Sequence, residues 1–273
     1  MTTIADKLNQ ILQIKLQLEQ VLDSENVTTD GSFEDIVNKI QELEVGDALM
    51  LTDFIQGDAE TFSSNITTLR SYSLCGMKST KIFLPEATIV NNYSLTTCPN
   101  LDYVYAPKLE TISNYAFSNC TKLGATYDIE FPNVTSITEG GLDGCYSLGK
   151  NKVSFPKLTT VDKYSFRNCY SLTSFDFTNF SKIPSDSFVG CAGLKKVWIP
   201  SSCTTIEVQR SSGSVSLSSA PFCGCLNVVI YTNASSKLSG WDSYFNLIGY
   251  TTVSDITYAT VNYNSTYEDY LNA

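Results

Sequence analysis

Apolar residues recur along this chain at fixed distances from its cysteines. Each copy of the pattern has an aromatic residue or leucine three positions before a cysteine and an apolar residue three positions after it. The cysteines of the pattern, with the first in a weaker copy, are Cys75, Cys98, Cys120, Cys145, Cys169, Cys191 and Cys225. Apart from the last and longest interval, between Cys191 and Cys225, they recur at nearly even spacing. A period of about 23 residues predicts a solenoid, in which each coil buries its apolar edge against its neighbours.

Short strands are predicted upstream of each cysteine. In four copies a proline precedes the cysteine at one fixed distance, and these prolines are Pro85, Pro107, Pro132 and Pro156. An aliphatic residue stands between proline and cysteine, also at a fixed distance, in five copies: Val90, Ile112, Ile137, Val161 and Ile183. The residues just before the proline follow the period of two that is typical of a strand. Because proline cannot donate a hydrogen bond to a neighbouring strand, it marks the strand end. We therefore expect one short strand per coil, stacked into a parallel sheet.

The clearest copy of the whole pattern is residues 101–123, LDYVYAPKLETISNYAFSNCTKL. Its joint spacing of proline, isoleucine, phenylalanine, cysteine and leucine resembles the leucine-rich repeats of the BspA-like class, also called the Treponema pallidum type. The resemblance spans residues 69–232. It implies an α/β, β-rich leucine-rich repeat solenoid that is right-handed, with a parallel strand on one face of each coil and a short helical or turn segment before each cysteine.

The chain divides into three predicted parts. Residues 1–45 form a small N-terminal helical segment, residues 46–232 form the solenoid, and residues 233–273 form a C-terminal cap whose apolar residues cover the open end of the last coil. Residues 207–219 are rich in serine and lengthen the last cysteine interval. They predict an excursion loop or short hairpin, which is either a tolerated insertion or a contact element.

The N-terminal segment has the apolar spacing of an amphipathic helix. Its heptad row is interrupted by one lysine and otherwise consists of Ile4, Leu8, Ile11, Leu18 and Leu22. Two interpretations remain open: a helix folded onto the solenoid end, or a short coiled coil that makes the protein a homo-oligomer through residues 1–22. This opening, followed by a second helix pattern, also resembles the N-termini of prophage tail-associated proteins.

Nine cysteines raise the question of disulfides and metal sites. Cysteines on adjacent coils lie within reach of each other, but their parallel side-chain directions disfavour a bridge. We therefore expect free, buried thiols that pack as small apolar side chains. A bridge between Cys203 and Cys223 stays open as an alternative. Since zinc sites need closely spaced cysteine or histidine pairs and the chain has no histidine, we expect no metal and no cofactor.

The composition disfavours several classes of function. A net charge of -10 argues against binding to nucleic acid, and no stretch has the roughly 18 apolar residues needed for membrane insertion. The N-terminus, at positions 1–20, lacks the features of a signal peptide. Without histidine, the common activated nucleophiles are excluded. Carboxylates on the strands could form a glycosidase pair, but a solvated acidic face is the simpler interpretation, and we expect no catalysis.

The strands predict a binding surface. If the residue three before each proline points inward, both its neighbours point outward. The outward set is Lys81, Phe83, Tyr103, Tyr105, Asp128, Glu130, Lys152, Ser154, Ser174, Asp176, Lys196 and Trp198. Exposed aromatic residues have no packing role, so we expect ligand contacts from the aromatic members and three carboxylates: Phe83, Tyr103, Tyr105, Trp198, Asp128, Glu130 and Asp176. The alternative is that the termini or cross-strand neighbours cover them.

The family resemblance implies a non-catalytic protein for adhesion or for recognition of a host protein or glycan. Its location would then be the cell surface or the extracellular space. The alternative is a phage or prophage tail-associated receptor-binding protein, which would be part of a virion and would oligomerise through its first helix. Because a fold transfers a class of function rather than a ligand, both hypotheses leave the ligand open.

Overall fold

The computed structural model describes residues 61–63, 65–211, 214–252 and 255–273. The predicted N-terminal helices lie outside the described residues, as do the proposed oligomerisation residues Ile4, Leu8, Ile11, Leu18 and Leu22. The oligomer through residues 1–22 and the likeness to tail-associated proteins therefore stay predictions. The described chain is a parallel β-solenoid, which confirms the predicted leucine-rich repeat fold.

Most coils contribute two short strands rather than the single strand that we expect from the sequence. The outward side chains of the first row form the strand face. Its strands are β1 Thr61–Ser63, β3 Lys81–Phe83, β5 Tyr103–Tyr105, β7 Ile129–Glu130, β9 Val153–Ser154, β11 Ser174–Asp176, β13 Lys196–Trp198, β17 Val229–Tyr231 and β20 Thr260–Asn262. The second row lies at the aliphatic landmark and consists of β2 Thr68–Leu69, β4 Ile89–Val90, β6 Thr111–Ile112, β8 Ser136–Ile137, β10 Thr160–Val161, β12 Lys182–Ile183 and β14 Thr205–Ile206.

The strand face is not one continuous sheet. It consists of the sheets β1-β3-β5, β7-β9 and β11-β13-β17-β20, whereas the second row forms β2-β4-β6-β8-β10 and β12-β14. Equivalent positions pair in register, so Phe83 lies beside Tyr105 and Asp176 lies beside Trp198. The inward residues between them, such as Ile82 and Val104, are buried in the shared core.

Cysteine thiols connect the coils by hydrogen bonds, a role that packing alone does not predict. In each of six turns the Sγ donates to the carbonyl of the leucine or phenylalanine that packs at the equivalent turn of the preceding coil. The pairs are Cys98 to Leu74 (3.2 Å), Cys120 to Leu95 (3.0 Å), Cys145 to Phe117 (3.2 Å), Cys169 to Leu142 (3.4 Å), Cys191 to Phe166 (2.9 Å) and Cys225 to Phe188 (3.3 Å). Burial raises the pKa of the Cys120 and Cys145 thiols, which keeps the donor proton in place.

The assignment of Cys75 to the repeat is wrong. The backbone N–H of Leu74 donates to the next coil as that of Leu95 does, so these two leucines occupy equivalent positions. Counting from them, Met77 stands where the next coil has Cys98, and Met77 is buried while Cys75 is exposed. The weak first copy therefore has a methionine at the core position, and its cysteine is two residues out of register.

All nine cysteines are free thiols. Cys203 is buried, and burial raises its pKa to about 12. Cys223 is half-buried. The alternative of a bridge between these two residues is therefore not found.

A column of stacked tyrosines runs along the turns. Tyr72 stacks on Tyr93 with ring centroids 4.9 Å apart, and Tyr93 stacks on Tyr115 at 5.3 Å. The column ends at Gly140, where a Cβ atom would lie 2.3 Å from Cε1 of Tyr115. The Tyr115 hydroxyl donates to Glu139 Oε1 at 3.0 Å, and burial together with this bond raises the pKa of Tyr115 to about 12.

The segment after Glu207 contains a small antiparallel hairpin, formed by β15 Arg210–Ser211 and β16 Ser214–Val215. The predicted short hairpin is therefore present. A short 3₁₀ helix, Leu217–Ser219, follows it. Val208, Leu217, Ala220 and Leu247 form a separate apolar cluster, against which Val215 of the hairpin packs.

The C-terminal residues close the apolar core at the end of the solenoid. Trp241, Phe245 and Ile248 are buried in the main core, and the Trp241 Nε1–H donates to the Cys203 carbonyl at 2.8 Å. The strands β18 Leu247–Thr252 and β19 Asp255–Tyr258 form an antiparallel pair. The next strand, β20, extends the strand face beside β17, and the helix α1, Tyr267–Leu271, then folds back onto that face. Tyr250, an aromatic residue within the predicted cap of residues 233–273, is exposed instead.

Candidate functional site

An open depression of about 930 Å³ lies on the strand face between β5 and β7. It forms where the first sheet of the face ends and the second begins. The interval from Cys120 to Cys145 is longer than the interval from Cys98 to Cys120, and the chain before β7 is correspondingly longer. We call this site the aromatic depression, and the side chains that line it include Lys81, Phe83, Tyr103, Tyr105, Tyr127, Asp128 and Glu130.

The four aromatic rings of the depression are tilted against one another. The Phe83 ring centroid lies 5.7 Å from that of Tyr103, with 60° between the ring planes, and 6.0 Å from that of Tyr105, with 42°. Tyr103 lies 5.5 Å from Tyr127 at 59°. Tyr105 and Tyr127 remain 43% and 39% exposed. The rings are thus held by mutual edge contacts while part of their apolar surface faces solvent.

Charged groups border these rings. Glu130 Oε1 accepts a hydrogen bond from Lys152 Nζ at 2.5 Å, which raises the pKa of Lys152. Asp128 Oδ1 accepts one from the Lys152 backbone N–H at 3.1 Å. On the other side, Lys81 Nζ lies 5.1 Å from the ring centroid of Tyr127, in a cation–π contact. Both carboxylates are exposed at the rim.

The predicted exposure of Trp198 is wrong. Its side chain is only 5% exposed because α1 lies over it, with the Tyr267 ring centroid 5.4 Å away and that of Tyr270 6.3 Å away. Lys196 Nζ fixes the end of the helix by donating to the Tyr270 carbonyl at 2.8 Å. The alternative that a terminus covers part of the strand face is therefore correct at this residue.

Asp176 also belongs to this covered region. One of its oxygens, Oδ2, accepts a hydrogen bond from the Tyr267 hydroxyl at 2.5 Å, and Oδ1 accepts from the backbone N–H of Thr178 at 2.8 Å. Asp176 lies on the third sheet of the strand face, whereas the depression lies between the first and second sheets. The structure therefore brings together five of the seven predicted contact residues and separates Asp176 and Trp198 from them.

Tyr127 is the contact residue that the sequence pattern misses. It lies five positions before Pro132, outside the pair of outward positions that flank each inward strand residue. The longer coil carries it to the rim of the depression. The interval between Cys120 and Cys145 is slightly longer than the intervals on either side of it, and this difference is the signal that could have identified this coil.

The depression has the chemistry of binding. Exposed ring faces offer apolar and cation–π contacts, and the rim carboxylates accept hydrogen bonds. Within the described ranges no group of three or more cysteine and carboxylate side chains is placed to hold a metal ion. In the same part of the chain, no helix has the length and apolar character of a membrane span.

Comparison with known proteins places these observations among repeat proteins. The family model described as "BspA type Leucine rich repeat region" matches six copies, in residues 58–129 and 125–237. No curated protein is significantly similar to the chain.

Three crystal structures are similar to this chain. A leucine-rich repeat protein of T. pallidum is 24% identical, with a TM-score of 0.45, over 55% of this chain and 68% of that one. A leucine-rich repeat protein from Bacteroides ovatus is 20% identical, with a TM-score of 0.38, over 68% and 61%. A leucine-rich cell surface protein from Faecalibacterium prausnitzii is 13% identical, with a TM-score of 0.30, over 79% and 90%.

Proposed function

The chain belongs to the BspA type leucine-rich repeat family, and from this premise we propose that it is a non-catalytic binding protein whose aromatic depression receives a protein ligand. Solenoids of this kind present long, ordered surfaces rather than enclosed catalytic clefts. Large aromatic side chains are the residues that dominate binding energy at protein interfaces. The depression concentrates four of them in one place.

The observation that carries this proposal is a contrast along the strand face. At Trp198 the chain covers the face with its own helix α1, so that the aromatic surface is buried. At Tyr105 and Tyr127 no described part of the chain provides such a cover, and both rings remain more than a third exposed. Burying exposed apolar surface is favourable, so a ligand that covers these rings would gain binding energy. The uncovered part of the strand face, around Tyr105 and Tyr127, is therefore the part suited to a ligand.

We extend the proposal to adhesion at the cell surface, which is the role that the family resemblance implies. The net charge of -10 fits an external protein ligand better than nucleic acid or an anionic membrane. Antibody labelling of intact cells of the producing organism, compared with permeabilised cells, tests this location. Labelling only after permeabilisation would contradict the surface location and leave the binding site itself untouched.

Binding is tested by presenting the full chain to an array of immobilised matrix proteins and glycans. The test variant combines Phe83→Ala, Tyr103→Ala and Tyr105→Ala, which removes three rings of the depression. The matched control combines Tyr146→Ala and Tyr170→Ala, because these rings are 39% and 45% exposed and do not line the depression.

We expect the triple variant to lose the protein signals by at least about tenfold, since truncating one or two central aromatic residues costs about 2 kcal/mol or more. The control should retain them. Equal binding by wild type and triple variant would show that the aromatic depression is not the binding site. If the wild-type chain binds none of the proteins on the array, the proposed function as a whole is contradicted.

A further inference from the structure

We propose that the aromatic depression recognises a basic side chain, lysine or arginine, that protrudes from the protein ligand. This inference rests on the proposed function and specifies the chemistry that the site selects. It follows from the arrangement of the rings, from ammonium contacts already present on the strand face, and from the charges at the rim.

The tilt of the rings favours the small head group of a basic side chain over a broad flat ligand that needs one extended platform. The planes of Phe83, Tyr103 and Tyr105 are inclined by 42° to 60° in the measured pairs, so no two of these paired rings form a common platform. Tyr127 continues the arrangement at 59° to Tyr103. Inclined rings form the walls of a shallow cage, and the electron-rich faces of such walls attract an ammonium or guanidinium group within about 6 Å. The aliphatic stem of a lysine or arginine can then lie against the exposed ring surface.

The strand face already makes this contact with its own lysines. Lys81 Nζ lies 5.1 Å from the ring centroid of Tyr127, within the depression itself. On the covered half of the face, Lys196 Nζ also lies 5.1 Å from the ring centroid of Tyr270 while it donates to that residue's carbonyl. The second case shows an ammonium and a tyrosine joining two separate segments of chain. An external basic side chain would use the same contact at Tyr103 and Tyr105.

The rim has two acids, Asp128 and Glu130, and two lysines, Lys81 and Lys152. It therefore attracts a cation through hydrogen-bond acceptors rather than through a net negative charge. Asp128 and Glu130 stand exposed on the β7 side of the depression, and each binds Lys152 through one oxygen, at 3.1 and 2.5 Å. A carboxylate can accept several hydrogen bonds, so both acids can accept further donors from a ligand. The overall charge of -10 attracts basic partners and repels acidic ones at long range. The depression therefore combines a cation–π surface with carboxylates that can accept hydrogen bonds from a cation.

The proposal is tested with three capped pentapeptides that differ only at their central residue. Glycine and serine surround a lysine, a norleucine or a glutamate, so that norleucine keeps the aliphatic stem and lacks the charge. Binding to the full chain is followed by NMR chemical-shift titration at low salt. The lysine peptide is expected to bind about 2- to 30-fold more tightly than the norleucine peptide, the range that one cation–π contact supplies. The glutamate peptide is expected to bind most weakly.

Two test variants and one control variant locate the preference. Tyr105→Leu keeps an apolar side chain but removes one ring, so it should reduce the preference for lysine while norleucine affinity changes little. Tyr170→Leu is the matched control, since Tyr170 is 45% exposed and lies outside the depression. Replacing both rim acids, as Asp128→Asn with Glu130→Gln, should reduce lysine affinity about 2- to 5-fold per exposed carboxylate contact.

Equal affinity for lysine and norleucine, or tighter binding of glutamate, would overturn the proposal. Tighter binding of a neutral oligosaccharide at the same residues, with no lysine preference, would assign the depression to glycans and overturn it too. Any of these results would still be compatible with a binding site in the depression, because each changes only the chemistry of the ligand. Failure of the array experiment, in contrast, removes the proposed function together with this inference.

Discussion

The docking of helix α1 onto the strand face depends on Tyr270, and Tyr270→Ala should release the helix. The side chain is 5% exposed and packs against Trp198 and Tyr231. Its burial contributes about 1.5–3 kcal/mol. Ordering the five residues of α1 costs about 5 kcal/mol, and a helix of this length is not stable alone. The capping box formed by Thr266 and Asp269 contributes about 1 kcal/mol, and the Tyr267–Asp176 hydrogen bond about 1 kcal/mol.

Without the Tyr270 side chain these two contributions, together with the Lys196 hydrogen bond to the backbone carbonyl of residue 270 and what remains of the Trp198 packing, no longer offset the ordering cost. The assay is tryptophan fluorescence, because the chain has two tryptophans and only Trp198 lies under α1. Trp241, 1% exposed, provides the constant signal. Tyr270→Ala should move the emission to longer wavelength and make it more accessible to acrylamide, and adding Trp198→Phe should remove that change.

Tyr258→Ala is the control for loss of a tyrosine, since Tyr258 is 46% exposed. It should leave the emission unchanged. If Tyr270→Ala leaves both the emission and the quenching at wild-type values, α1 is held by other contacts, and the reasoning from the burial of Tyr270 is refuted.

Three further predictions concern single groups. A thiol reagent should modify Cys75 rapidly in the folded protein, because Cys75 is exposed, and Cys75→Ser should remove this fast phase; a fast phase that persists contradicts the assignment. Gly140→Ala should lower the free energy of unfolding by about 2–4 kcal/mol in denaturant titrations, since the φ of Gly140 is +64° and the ring of Tyr115 lies over it. The control is Gly76→Ala, which should cost only about 1–2 kcal/mol because Gly76 has a similar φ of +73° but open space around it. The hydrogen bond to Asp176 raises the pKa of Tyr267 to about 12. The stability that this bond contributes is therefore complete below the unfolded pKa of about 10 and is lost as pH rises towards 12. An ultraviolet titration that is identical for wild type and Tyr267→Phe above pH 10 would contradict this pKa.

The sequence predicts the coils well because the same few positions repeat in each of them. The proline marks the end of the first strand, the aliphatic residue marks the second strand, and the cysteine marks the core of the turn. The hydrogen bonds that these elements make to other coils reach only the neighbouring ones. A short stretch of sequence therefore contains the information for one coil. The thiol hydrogen bonds cannot be predicted from the sequence, because the spacing identifies the cysteine as buried but does not identify the carbonyl that accepts its proton.

The sequence predicts the site less well because the site depends on departures from the repeat. Tyr127 reaches the depression only because its coil is longer than its neighbours. Trp198 is buried by a helix close to the C-terminus, in a segment with no repeat pattern. Cys75 fits the spacing by coincidence, and only the hydrogen bonds of the turn show that Met77 is its structural counterpart in the core.

The end of the tyrosine column at Gly140 has a consequence for folding fidelity. Coils that resemble each other could stack against the wrong neighbour during folding, because many of their apolar contacts would still form. The ring of Tyr115 lies over Gly140, whereas Tyr72 and Tyr93 each stack on a tyrosine at the equivalent position of the next coil. Tyr164 holds that position one coil after Gly140, so a coil order that skipped Gly140 would still offer Tyr115 a ring to stack on. The tyrosine column therefore stabilises neighbouring coils without specifying their order, and the order depends on features that differ between coils, such as their length.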